Sequence, residues 1–374
     1  MESNILDYFF AVASQFTPQG RILEVREYGQ GNVNDTYLVT VDGPGERPFI
    51  LQRLNPRVFP QPELIMGNLR VFTAHVQARL NQTPLPPGRR WEAPRVLLTG
   101  DGRDHFLDSG GSFWRALTFI EAAESHATIK DLEHAREVGY ALGRFHHLLS
   151  DLPPERLADT LPGFHITPDY LKRYEGVRAK NVGQNSPEMD YCRRIIKERR
   201  GWADVLEKAK AQEKLPLRPI HGDPKVNNVM VDSATGQAVG LVDLDTVKPG
   251  LVHYDLGDCL RSGCNTLGEE IEKWETTGFD PEICRAILKG YLSQAGSFLT
   301  AGDYAYLYDA ARLLPFELGL RFFTDYLEGN IYFKTRYPEH NLNRALVQFK
   351  LTESIEAQEP AIRAIVSELS GKGG

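Results

Sequence analysis

Hydrophobic positions along this chain change period part-way through. In "GNVNDTYLVTVDG" and "RPFILQRL" apolar residues alternate with polar ones, and "DGPGE" between them is a turn signal. That pattern predicts two strands joined as a hairpin. "PELIMGNLRVFTAHVQARL" then takes helical spacing, which "NQTPLPPGRRWEAP" ends with proline and glycine. "RVLLTG", "HFLDSGG" and "SFWRALTF" follow as short strands. From Asp131 onward the period is helical: "DLEHAREVGYALGRFHHLLSDL" sets Ala135, Val138, Leu142, Phe145 and Leu149 on one face. Further helices are predicted around residues 187–210, 281–299 and 303–327. A short amphipathic helix opens the chain, where Ile5, Phe9, Val12 and Phe16 recur at helical spacing. A strand-rich first part and a helix-rich remainder predict an α+β fold of two lobes, residues 1–120 and 121–374, with the boundary near Phe119–Ala122.

Composition narrows the partners. A chain of 374 residues is long for a single core, in keeping with two lobes. Its net charge of −7 argues against nucleic acid as the main partner, since phosphate backbones require a basic surface. No apolar run reaches membrane-spanning length, so no membrane partner is expected. Glu2 and Asp7 stand where a secretory leader carries basic residues, and the expected location is cytoplasmic. Cys192, Cys259, Cys264 and Cys284 form no CxxC pair and read as reduced, buried thiols.

The chemistry concentrates in "RPIHGDPKVNNVMVD", which packs an aspartate, a lysine and two asparagines ahead of an apolar alternation. "VGLVDLDTVKPG" follows, and its apolar run closes on two more aspartates. "NVMV" and "AVGLVDLD" predict a hairpin around "DSATGQ". Centred on Ser233–Gly236, it sets Asn228 and Asp243 level within a residue or two. Asp223 enters from the loop before it. One base candidate and two hard oxygen ligands thus converge from one local unit, which suits Mg²⁺ and a hydroxyl acceptor.

These residues carry a resemblance. HGDxxxxN followed by an IDxD-like strand is the signature of the aminoglycoside phosphotransferase and choline kinase group, relatives of protein kinases with the same two-lobed fold. His221, Gly222, Asp223 and Asn228 match its first part, and Asp243 and Asp245 its second. The resemblance implies a first lobe that binds nucleotide and a second that is catalytic and binds the acceptor. It implies Asp223 as catalytic base, Asn228 and Asp243 as holders of Mg²⁺, and Asp245 as a candidate for a second metal. Asp255, in "YDLGD", is expected to cap a helix and brace the catalytic loop rather than act in chemistry. ATP is the implied co-substrate. Gly29 and Gly31, with Asn32 and Asn34 in the same stretch, form the candidate glycine-rich loop. The resemblance places Phe119, Ile120 and Glu121 at the hinge, whose backbone is expected to contact adenine. One departure is plain: Gln52 occupies the third-strand position where kinases carry a phosphate-binding lysine. Glu63, in the next helix, is left without the usual cation. Arg53 alternates to the other face.

The acceptor side lies further on. "YLEGNIYFKTRYPEHN" is aromatic, polar and broken by glycine, a composition that suits a sugar's apolar faces and hydroxyls. With "GNVNDTYLVT", Gln52 and "LVDLDTVKPG", it resembles the N-acetylhexosamine 1-kinases over nearly the whole chain. Those enzymes transfer the γ-phosphate of ATP to the anomeric hydroxyl of GlcNAc or GalNAc. The resemblance implies Arg321, Tyr326 and Tyr332 near the sugar or the transferred phosphate. Choline, homoserine, an aminoglycoside or another sugar stay open as acceptors. A non-catalytic nucleotide-binding regulator is favoured by Gln52 alone.

Overall fold

The computed structural model describes residues 2–17, 20–29, 33–43, 45–83, 85–180 and 185–371. Its first part is an antiparallel sheet of β1 (Arg21–Glu27), β2 (Asp35–Asp42), β3 (Phe49–Arg53), β4 (Val96–Leu97), β5 (Phe106–Leu107) and β6 (Phe113–Thr118). The strand order is β1-β2-β3-β6-β4, with β5 also on β6. Helix α1 (Glu2–Ala13) and helix α2 (Pro62–Gln82) accompany it. Register fixes which side chains share a face. Tyr37, Leu51 and Ala116 stand in line across β2, β3 and β6, and all three are buried with Val12 and Ala13 of α1. Thr36, Gln52 and Arg115 form the next line, on the opposite face because side chains alternate along a strand. Arg53 pairs with Asp35 at 2.9 Å, on the far side from Gln52, as alternation requires. Strand β1 carries little sequence signal. "RILEVRE" buries only Val25, so its apolar signal is too sparse to read as a strand.

Beyond Thr118 the chain makes β7 (Ala123–Glu124) and turns helical. Helix α3 (Leu132–Leu149) starts on Asp131, whose carboxylate accepts the His134 N–H at 2.8 Å. All five residues expected on its apolar face are buried. It lies against a later helix (Pro281–Ala295) at very close range: a Cβ on Gly139 would stand 1.9 Å from the Ile287 carbonyl oxygen, so only glycine permits that approach. Helices α4 (Thr167–Lys180), α5 (Pro187–Arg199) and α6 (Val205–Ala211) come next. Two small antiparallel units follow: β8 (Arg218–Ile220) with β11 (Lys248–Gly250), and β9 (Val229–Asp232) with β10 (Ala238–Leu241), the latter extended by β7. Helix α7 (Val252–Gly263), helix α8 (Pro281–Ala295), the short α9 (Ala301–Ala305), α10 (Leu307–Leu327), α11 (His340–Ala357) and α12 (Glu359–Leu369) complete the chain. The α+β expectation holds. The cysteines are free and buried, and among the described residues no helix is long and apolar enough to cross a membrane.

Candidate active site

The loop from His221 to Asn228 joins β8 to β9 and is tied from several sides. His221 is fully buried; its Nε2 lies 3.0 Å from the Val242 carbonyl and its Nδ1 accepts the Asp223 N–H at 3.2 Å. Those partners require a neutral ring protonated at Nε2, and burial holds its pKa below the ordinary value. Asp255, inside α7, accepts the His221 N–H at 2.7 Å and the Gly222 N–H at 2.8 Å, and His146 contacts it at 2.8 Å. It braces the loop as expected, but it caps no helix, since α7 begins at Val252. Gly222 has φ +87°, and a Cβ there would meet the Thr246 carbonyl oxygen at 2.7 Å. Only glycine serves at that point.

His165 supplies a further brace. Its Nδ1 lies 2.9 Å from Glu317 and its Nε2 2.7 Å from the Gly222 carbonyl. Both partners are acceptors, so both ring nitrogens carry hydrogen and the ring is an imidazolium. Burial opposes that charge, yet Glu317, the carbonyl and Asp258 outweigh it and raise the pKa.

Asp223 leaves this frame partly exposed. Burial pushes its carboxyl up, but Lys225, bonded to it at 2.7 Å, outweighs burial and holds it below the ordinary value. The Asn228 amide donates to the Asp223 carbonyl at 2.7 Å, which leaves its own oxygen uncommitted among the described residues. Val242 N–H donates to the Asn228 carbonyl at 2.9 Å, so Asp243 stands one residue past level with Asn228. Asp243 adopts a left-handed backbone, φ 62° and ψ 55°, which aspartate tolerates better than most residues. Its side chain is exposed, yet the surrounding protein and then Asp245 push its carboxyl up to about 6.

Asp245 differs from the expectation of a second metal ligand. It is 2% exposed, with Oδ1 paired to Arg115 and Oδ2 accepting Asn34 at 2.7 Å. Both oxygens are engaged inside the protein. Asn34 in turn accepts the Asn55 N–H at 3.0 Å, so it ties the strand entry down. Gly29 is described, with φ +77°, whereas Gly31 and Asn32 lie outside the described residues. Gln52 accepts from Arg115 Nε at 3.0 Å and Nη2 at 2.7 Å, and donates to Thr36 at 3.1 Å. At the expected hinge, Phe119 meets Tyr28 edge-on at 5.6 Å, which sets β1's end beside it. Ile120 packs on Met230 and Val239. The Glu121 carbonyl already accepts from Arg90 at 2.8 Å.

A cavity of about 170 Å³ opens between α4, α10 and residues 332–333. Arg321 stands in it, with its guanidinium 5.0 Å from the Phe164 ring centre, 5.1 Å from Tyr170 and 5.5 Å from Phe333. It has no hydrogen-bond or ion-pair partner among the described residues. Asp325 also lines the cavity, but it is 2% exposed and accepts the Tyr332 N–H at 2.8 Å, the Phe333 N–H at 3.0 Å and Asn341 at 2.9 Å. Tyr332 lines the cavity; Tyr326 does not. On a helix Thr324 and Asp325 share the face of Arg321, while a residue five positions on is turned roughly 140° away. Tyr326 packs instead against the second core cluster, which includes residues of α4, α5, α10 and α11.

The profile of the phosphotransferase enzyme family matches residues 24–291. The chain belongs to that family. It is a small-molecule phosphotransferase. Solved structures carry the fold further. A microcompartment-associated aminopropanol kinase matches at TM-score 0.61 and 19% identity over 94% of this chain and 98% of its own. Choline kinase from Cryptosporidium parvum Iowa II matches at 0.58 and 15%, over 94% and 92%. Aminoglycoside 2'-phosphotransferase-IIIa, solved with GDP, matches at 0.55 and 14%, over 99% of both chains. The phosphotransferase therefore has the two-lobed protein-kinase-like fold.

Four residues of this phosphotransferase were given no site role by sequence reasoning. Lys225 stood within the quoted loop, and its closeness to Asp223 was the signal. Arg115 was the one charge in "SFWRALTF", a cue that it sits inside a buried strand. His165 and Glu317 lie far apart in sequence, and nothing local joins them.

Proposed function

We propose that this protein is an ATP-dependent kinase that phosphorylates the anomeric hydroxyl of an N-acetylhexosamine, GlcNAc or GalNAc, to give the sugar 1-phosphate. The observation that carries the acceptor class is the charge balance of the cavity. Its uncommitted charge is positive, at Arg321, while Asp325 is buried and saturated. A cationic acceptor such as choline or an aminoglycoside would meet repulsion there. A neutral sugar would find aromatic faces in Phe164, Tyr170 and Tyr332 and a fork of donors in Arg321.

Asp223 orients the acceptor hydroxyl and takes its proton. Lys225 makes Asp223 a weaker base than a free carboxylate, which suits the anomeric hydroxyl, the most acidic on the ring. Position also rests on the whole-chain resemblance at "YLEGNIYFKTRYPEHN". Asn228 and Asp243 would hold Mg²⁺. The fit is in the donors: an uncommitted amide oxygen, and a carboxyl that desolvation by the surrounding protein and then Asp245 push up to about 6 despite Lys225 and Arg115. Bound there, the ion would neutralise nucleotide phosphate oxygens. Gly29, Gly31, Asn32, the hinge at Phe119–Glu121 and Gln52 belong to the nucleotide side.

The test is ATP consumption against GlcNAc, GalNAc, their methyl glycosides, choline and an aminoglycoside. Free sugars should turn over to a non-reducing product and the methyl glycosides should not. A methyl glycoside phosphorylated as fast as the free sugar rejects the 1-kinase reading. Turnover with choline alone rejects the sugar.

A further inference from the structure

We propose that Arg115 supplies the phosphate-facing positive charge that β3 lacks at Gln52, with its Nη1 donating to the phosphate chain of the bound nucleoside triphosphate. The inference rests on the nucleotide-dependent reading above. Gln52 and Arg115 are direct partners in the β3–β6 register. Arg115 is 1% exposed, and its Nε and Nη2 are spent on Gln52 Oε1 and on Asp245. Its Nη1 is buried and has no acceptor among the described residues. Buried donors are nearly always met. A guanidinium pinned along one edge, with the other edge unspent, is well set to take phosphate oxygens.

Location supports the same assignment. The countercharge of Arg115 is Asp245, two residues beyond Asp243, and Asp245 also holds Asn34 from the stretch after the glycine loop. Sheet, glycine-loop exit and Asp243 segment therefore meet at this guanidinium. Glu63, at the start of α2, makes no ion pair among the described residues. A lysine–glutamate pair within the first lobe is thus replaced by an arginine–aspartate pair that reaches the second. The identity of residue 52 follows. A lysine there would set a second cation against Arg115, whereas the glutamine oxygen accepts from it twice.

The test compares wild type, Arg115→Met, Arg115→Lys and the swap Gln52→Lys/Arg115→Met. Affinities for ATP and for adenosine are measured by calorimetry and folding by thermal melting. Arg115→Met should weaken ATP binding by roughly tenfold to a hundredfold, the worth of a charge-assisted hydrogen bond. Adenosine affinity and the acceptor KM should hold, Arg115→Lys should recover part of the loss, and the swap most of it. If Arg115→Met does not fold, Arg115→Met/Asp245→Asn removes both charges and should show the same loss for ATP alone. A folded Arg115→Met that binds ATP like wild type overturns the inference, as does a swap no tighter than the single variant. Equal losses for ATP and adenosine also overturn it, because they mark a collapsed site. A wild-type protein that binds no nucleoside triphosphate overturns the nucleotide reading itself, and this inference with it.

Discussion

The loop that carries Asp223 and the cavity that holds Arg321 are built on opposite plans. In the frame around the loop almost every polar group is spent, which leaves Asp223 and the Asn228 oxygen as the groups with capacity to spare. Asp255 uses both oxygens, His221 both nitrogens, and His165 joins Glu317 to the Gly222 carbonyl. In the cavity, Arg321 is held by aromatic faces and keeps its donors unspent among the described residues. A saturated network fixes geometry and has little left to offer a ligand. A charge lodged among rings is positioned without being consumed. The loop is therefore built to be rigid, and under the proposed function the cavity is the part that would select.

Breaking the chemistry at the loop should give the largest effect. Asp223→Asn removes the proton acceptor and keeps the shape. Turnover should fall by about 10³-fold or more, within the range for a positioned base. Nucleotide affinity by calorimetry should stay near wild type. A kcat within tenfold of wild type would take Asp223 out of the base role.

The frame of the loop comes next. His165→Gln should cost about 3 kcal/mol, because it leaves Glu317 buried without its charge partner. The pH dependence has a definite sign. His165 has a raised pKa in the fold, so its contribution is fully present below the ordinary imidazole value of 6.5 and is lost as pH climbs through the raised one. Glu317, buried but held low by His165, contributes above its ordinary 4.5 and fades as pH falls through its lowered value. The Tm gap between wild type and variant should be widest between about pH 5 and 6.5 and shrink toward alkaline pH. A gap that widens toward alkaline pH would mean that the ring is neutral.

Arg321→Ala should spare the fold and injure the reaction. A fall of about 10²-fold in kcat/KM, near 2.7 kcal/mol, is expected for loss of one charge-assisted contact to the acceptor or the transferring group. Melting should stay close to wild type, since no ion pair is broken. A large loss of Tm with normal specific activity would make Arg321 a packing residue.

The same contrast governs what could be read from sequence. His221, Gly222, Asp223, Asn228 and Asp243 lie in one local hairpin and its entry loop, so residue type and spacing nearly specify their meeting. The α3 face was legible for a similar reason, since helical period and burial coincide over many turns. Asp245 looked like a ligand because sequence does not show that Arg115 and Asn34, far away along the chain, have taken its oxygens. The His165–Glu317 pair was invisible on the same ground. Strand β1 escaped because a strand that buries one side chain leaves little alternation. Local chemistry is written in spacing, whereas the occupancy of a side chain is decided by the tertiary fold.

The smallest effect sharpens the boundary of the cavity. Tyr326 and Tyr332 were both expected near the acceptor, yet only Tyr332 lines the cavity, and it is 44% exposed there. Tyr326 turns into the second core cluster, set by its phase on α10 relative to Arg321. Tyr326→Phe keeps the ring that packs in that core and deletes a hydroxyl with no hydrogen-bond partner among the described residues. It should leave kcat/KM within about twofold and Tm within the usual scatter of a minor substitution. Tyr332→Ala, which strips an aromatic wall, should raise the acceptor KM by about tenfold, of the order of one stacking contact, with the nucleotide KM unmoved. The pair must be measured together, because the claim is the difference. If Tyr326→Phe harms acceptor use as much as Tyr332→Ala does, the cavity reaches further round α10 than its walls indicate. Arg321 would then no longer mark its centre.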